Sequence, residues 1–176
     1  MKKPNVQLKN VKTFRGMEGI GINADLYING VKCLFVIDDA NGGGMTYEEN
    51  IRHKDPELVK ANIKLMDNYI ATLPEQKSIY GDKTFSVKVD RDIFINNILV
   101  EMENKKNQKK MEKLMQTCVL IGIPNSDRYS YFNFKRPLST IPRTTLQTQV
   151  TLIKMKNCKN GIEILNTNLQ ALGINV

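Results

Sequence analysis

The sequence predicts an α+β fold, an antiparallel-rich mixed sheet of six to eight strands with two principal helices and a short C-terminal helix. Three observations carry this prediction. Asn29-Gly30 separates two β-rich runs, and the pair suits a type I′ turn because both residues accept positive φ. Two long stretches, ending near Leu73 and Met115, place apolar residues at helical spacing behind an aspartate that can cap them. Shorter runs, TFSVKV, TCVLIGI and RYSYFNF, are apolar throughout or alternate as strands do.

In chain order, Val6 to Phe14 alternates loosely and adds a strand beside the hairpin. Within residues 22–28, Ile22, Ala24, Leu26 and Ile28 alternate with Asn23, Asp25 and Tyr27, giving one buried and one wetter face. Residues 31–37 are apolar on both faces apart from Lys32, which places that strand centrally. Asp55-Pro56-Glu57 opens a helix, since Asp caps, Pro fits the first helical position and Glu favours the positive end of the dipole. Val59, Ile63, Met66, Ile70 and Leu73 mark its apolar face and Pro74 closes it. A loop containing Tyr80-Gly81-Asp82 leads to TFSVKV, and Asp90 then caps a helix reaching about Met115. That helix is apolar at Phe94, Ile95, Ile98, Leu99 and Met102 and again at Met111, Leu114 and Met115. Between them ENKKNQKK has no apolar residue, so the middle faces solvent or interrupts the helix.

TCVLIGI reads as a buried strand and PNSD as a turn. RYSYFNF follows as a strand with Phe132 and Phe134 on one face and Tyr129 and Tyr131 on the other. KRPLSTIPRTT is an irregular connector, Leu146 to Met155 a weakly alternating strand, NCKNG a turn and GIEIL another strand. Thr167 to Gln170 resembles a capping box for a short terminal helix ending at Gly173.

A chain of 176 residues suits a single domain, residues 1–176. Its 41% hydrophobic and 25% charged residues argue against intrinsic disorder. Cys33, Cys118 and Cys158 are odd in number and widely spaced, so neither a disulfide framework nor a zinc cage follows. They read as buried reduced thiols of a cytoplasmic protein. MKKPNVQLKN has no apolar stretch after its lysines and is no secretory signal. The longest apolar run, Cys118 to Ile123, is far too short to span a bilayer, so no membrane partner is expected.

The net charge of +8 is uneven. Residues 1–50 carry six basic and six acidic side chains, residues 51–116 thirteen and ten, and residues 117–176 seven and two. Such a regional excess favours contact with polyanions or keeps the protein in solution.

Two glycine-dense segments, FRGMEGIG and DDANGGG, flank the hairpin. Gly16, Gly19 and Gly21 have the order GxxGxG and precede a strand, so the helix N-terminus that holds a pyrophosphate in a dinucleotide site is missing. Gly42-Gly43-Gly44 lacks a following Lys-Ser or Lys-Thr, which excludes a P-loop. The glycines then supply bulges and a flexible strand exit, or they build a site, because a hairpin returns its second strand to where the first began. In one form of that site Arg15, Gly16 and the amides of Gly42, Gly43 and Gly44 bind an anion. In the other Glu18, Asp38 and Asp39 hold Mg²⁺ or Mn²⁺ for phosphoryl hydrolysis, although adjacent Asp38 and Asp39 point to opposite faces if both stay extended.

Acid–base and nucleophilic catalysis find little support. His53 is the only histidine and lies in a polar stretch, and neither GxSxG nor HExxH occurs. A second binding surface is RYSYFNFKR, where Tyr129 and Tyr131 would stack bases while Arg128, Lys135 and Arg136 neutralise phosphates. The alternative is that the tyrosines cover a second core or a subunit interface, which leaves homo-oligomer formation open.

At KTFRGMEGIGINADLYINGVKCLFVIDDANGGG, residues 12–44, the sequence resembles a group of small uncharacterised proteins of bacteriophages and of mobile elements of gut bacteria. The resemblance implies a setting, a phage protein made in the cytoplasm of a bacterial host, acting on host defence or nucleic-acid metabolism, and no catalytic residue. Arg15 beside repeated glycines and the basic excess after residue 116 lead to the expectation of a non-catalytic binding protein whose ligand is a nucleotide or nucleic acid, without a cofactor. The alternatives are a divalent-metal-dependent phosphohydrolase or nuclease and a structural or inhibitory protein that binds a host protein.

Overall fold

A computed structural model of the chain describes residues 3–80, 83–124, 126 and 128–176. Gly81-Asp82 of the expected loop, and Asn125 and Asp127 of the expected PNSD turn, lie outside the described residues. The chain divides into two compact units, Met1–Met102 and Glu103–Val176. Each has its own buried core.

In the first unit β1 (Val6–Arg15), β2 (Ile20–Ile28), β3 (Val31–Asp38) and β4 (Thr46–Glu49) form an antiparallel sheet in that order. The β2–β3 turn has Asn29 at φ 52° and Gly30 at φ 85°, the two left-handed residues that an Asn-Gly reversal requires. Asn29 also fastens the turn to its surroundings, accepting from the Asn5 amide at 3.1 Å and donating to buried Asn62 at 2.9 Å. Ala24, Leu26 and Ile28 are fully buried, as the alternation of β2 predicts. Against them α1 (Pro56–Ile70) lays Val59, Ile63 and Met66. Asp55 caps α1 by accepting from the Leu58 amide at 3.0 Å, and Asp90 caps α2 (Arg91–Met115) by accepting from that of Ile93 at 2.8 Å. A hairpin of β5 (Gln76–Tyr80) and β6 (Lys83–Val87) completes the unit. QKSIY begins with three polar residues and gives no sign of β5; cross-strand pairing with TFSV makes it a strand.

In the second unit β7 (Cys118–Gly122) is the central strand, with β8 (Tyr129–Asn133) and β9 (Glu163–Ile164) antiparallel on either side. Val119 and Ile121 pack with Leu146, Val150 and Ile153. Cys118 and Leu120 point the other way, to Met111, Leu114 and Met115 at the end of α2. Beyond the two residues of β9, the side chain of buried Asn166 takes over the ladder. Its Oδ1 accepts from the Leu120 amide at 2.6 Å and its Nδ2 donates to the Cys118 carbonyl at 2.9 Å.

The α+β class stands, but the layout within it differs from the expectation. In place of one mixed sheet there are three separate sheets, of four, two and three strands, all antiparallel among the described residues. The expected strand from Leu146 to Met155 is part of a third helix, α3 (Arg143–Asn157). Threonines at 144, 145, 148 and 151 imitate strand composition, yet Leu146, Val150 and Ile153 recur at four and three residues, which is helical spacing. Pro137 and Pro142, which suggest an irregular connector, stand immediately before a 3₁₀ turn at Leu138–Thr140 and before α3. The terminal helix is a single 3₁₀ turn, Gln170–Leu172, stopped by Gly173 at φ 72°. Thr167 does not cap it; its hydroxyl lies 3.8 Å from Met115 Sδ.

Candidate functional site

The structure brings the two glycine segments together and fills the space between them. The Glu18 amide donates to the Ala40 carbonyl at 2.8 Å, and a Cβ on Gly16 would lie 2.6 Å from the Asp39 carbonyl oxygen. This backbone-to-backbone approach is what Gly16 permits. The Gly16 amide itself donates to Gly19. The Asp38 and Asp39 carboxylates accept from the amides of Ala40 and Asn41, at 2.9 and 3.1 Å, so both close Asx turns. Glu18 covers Gly42 closely enough that a Cβ there would be 2.5 Å from its Oε2. Beyond Gly44, Asp92 accepts from the Met45 amide at 2.9 Å and from the Tyr47 hydroxyl at 2.5 Å. Burial, reinforced by Asp92, pushes the Tyr47 hydroxyl far above the usual tyrosine range.

Carboxylates therefore line the loop on which an anion would sit, and the local field opposes phosphate. Among the described residues no three His, Cys, Asp or Glu side chains converge to hold a metal ion. A depression of about 580 Å³ lies at the β1–β2 reversal, lined by Arg15, Gly16 and the exposed apolar side chains of Phe14, Met17 and Ile20. Gly42, Gly43 and Gly44 take no part in it. Burial raises the thiols of Cys33 and Cys158, the opposite of nucleophile activation. His53 Nδ1 accepts from the Asp55 amide at 3.1 Å, in the turn that opens α1.

The second unit has different electrostatics. Residues 103–176 carry twelve Lys and Arg against four Asp and Glu, a formal +8 equal to that of the whole chain. Residues 1–102 carry fourteen of each and balance to zero. Lys105, Lys106, Lys109, Lys110 and Lys113 are all exposed on the last turns of α2. At 3.6 residues per turn they fall within an arc of about 140°, a stripe on the side away from Met111, Leu114 and Met115. ENKKNQKK is thus an uninterrupted helical segment facing solvent, with its lysines gathered on one side.

β8 is an edge strand, and its faces are divided as the sequence predicts. Phe134, just past its end, packs with Val119 and Ile121. Tyr129 is half-buried against Met115, Cys118 and Leu120. Tyr131, two residues on and on the same face, is 55% exposed. Arg128, Lys135 and Arg136 are exposed around the strand. Lys135 turns the chain at φ 57°, with its amide held by Asn133 at 2.7 Å.

Sequence reasoning missed a cleft of about 820 Å³ between the end of α2 and the sheet face that carries Tyr129, with Leu165 and Thr167 beyond β9. Asn104, Asn107, Lys110 and Glu112 line it from the helix, and Met111, Tyr129 and Leu165 form its apolar surface. The signal was present in ENKKNQKK: its asparagines fall on the sheet-facing side of the helix, with Met111, and its lysines, apart from Lys110 at the cleft margin, on the other. Comparison of the chain with protein-family models, with curated proteins and with solved structures gave no match.

Proposed function

We propose that this chain is a non-catalytic nucleic-acid-binding protein of phage type whose polyanion contact is made by residues 103–176. The observation that carries the reading is the partition of charge, with the whole formal +8 in one unit and none in the other. A lysine stripe along one side of a helix suits a phosphate backbone, since each phosphate neutralised releases condensed counterions. Arg128, Lys135 and Arg136 add cations around an edge strand that also exposes Tyr131. The phage setting implied by the resemblance of residues 12–44 agrees with a role in nucleic-acid metabolism or in countering host defence, in the cytoplasm of a bacterium.

Fluorescence anisotropy with labelled DNA and RNA oligonucleotides, from low salt upward, tests the proposal. Expected is a linear fall of log affinity with log salt. Replacing Lys105, Lys106, Lys109, Lys110 and Lys113 by Gln should weaken binding and flatten that slope by about one for each phosphate no longer neutralised. No binding at low salt overturns it.

A further inference from the structure

The role assigned to the cleft deepens the nucleic-acid reading and rests on it. We infer that the nucleic acid is single-stranded and that one unstacked base enters the cleft against Tyr129. A cleft of about 820 Å³ has room for a base with its sugar, and a base reaches such a cleft only once it has left the stack. Its chemistry is that of a base site, in which Met111 and Leu165 offer apolar surface, Tyr129 offers a ring, and Asn104 and Asn107 offer donors and acceptors for base edges. Lys110 lies both in the cleft lining and in the lysine stripe, so a strand whose base is inside keeps its phosphates on the cations.

Tyr131 supplies the next position. Two residues along one face of a strand are about 7 Å apart. That is roughly twice the 3.4 Å rise of a stacked strand, a separation open to unstacked nucleotides. An exposed ring at that spacing takes a neighbouring base by stacking, which is tolerant of sequence. A duplex, with its bases stacked, would reach only the lysines.

The test compares short labelled oligodeoxyuridylate and oligouridylate with a duplex of the same length, for the native chain, the double variant Asn104→Ala/Asn107→Ala and Tyr131→Ala. All three substituted positions are exposed, and circular dichroism checks that the fold is kept. Either single strand should bind at least about tenfold tighter than duplex, and the tighter of the two arms names the sugar. Both variants should weaken single-strand binding about tenfold, keep the native salt slope because no cation is removed, and leave duplex binding unchanged. The chain has no tryptophan, so tyrosine emission is measurable, and the part of its quenching by single strands that disappears in Tyr131→Ala reports the stack. Equal affinity for single strand and duplex, or equal weakening of both in the variants, overturns the inference and leaves nucleic-acid binding standing. Failure of all three probes to bind overturns both.

Discussion

Asp25 lies in β2 with its carboxylate between Lys32 Nζ at 2.6 Å and Asn10 Nδ2 at 2.7 Å. The Lys32 hydrogen bond draws its pKa below the ordinary value against the opposing effect of burial, and Asn10 assists. A carboxyl whose folded pKa is depressed contributes stability above its unfolded value, near 3.8, and loses it as pH falls through the folded value. The native protein should therefore be more stable than Asp25→Asn at pH 7, with the gap closing below about pH 4, as read from urea denaturation midpoints across that range. Alternation alone puts Asp25 on a wetter face, and its burial was not legible. It depends on Asn10, which reaches it from a bulge in β1 where the register shifts between Lys9 and Lys12 and Asn10 takes φ 52°. The Asn-Gly turn was legible because two adjacent residues determine its geometry. Gly30→Ala, forced to positive φ, should cost about 1 kcal/mol in the same measurement.

At the scale of elements, the helices announced themselves where capping residues and apolar spacing agreed, as at Asp55 and Asp90. Asp55→Ala should lower stability by about 1 kcal/mol, since it leaves the Leu58 amide without its acceptor. α3 was hidden because its β-branched threonines and preceding prolines pointed away from the helical spacing of three apolar residues. Leu146, only 1% exposed and packed with Val119 and Ile121, is a sensitive probe of the difference between helix and strand. Leu146→Ala should destabilise by about 2–5 kcal/mol, whereas Thr148→Ala, at an exposed position on the same helix, should change stability by less than about 0.5 kcal/mol. Denaturant titration followed by circular dichroism separates the two. The meeting of the glycine segments was legible from hairpin geometry alone. The carboxylates that line it were visible as residues but not as occupants, because their pairing with the Ala40, Asn41 and Met45 amides is a product of the folded loop.

At the scale of the molecule, counting charge by thirds finds an excess of five after residue 116, while a cut at residue 103 finds all eight. Composition could not mark that cut, since it falls inside α2 and no linker rich in Gly, Pro or Ser announces it. The cleft was obscure for the same reason, because its asparagines and lysines are interleaved in sequence and separate only when wound into a helix. If the second unit neutralises the phosphates, replacing Lys9 and Lys12 by Gln should leave the salt slope of nucleic-acid binding unchanged, despite removing two cations from the chain. Anisotropy titrations at several salt concentrations would show it. The chemistry of ageing bears on this unit as well. Slow hydrolysis converts an asparagine amide to an acid, which keeps the acceptor that Leu120 uses and removes the donor that Cys118 needs. Asn166 bridges those two groups with one amide, so deamidation at this site would cost stability, and Asn166→Asp should show the loss as a lower urea midpoint.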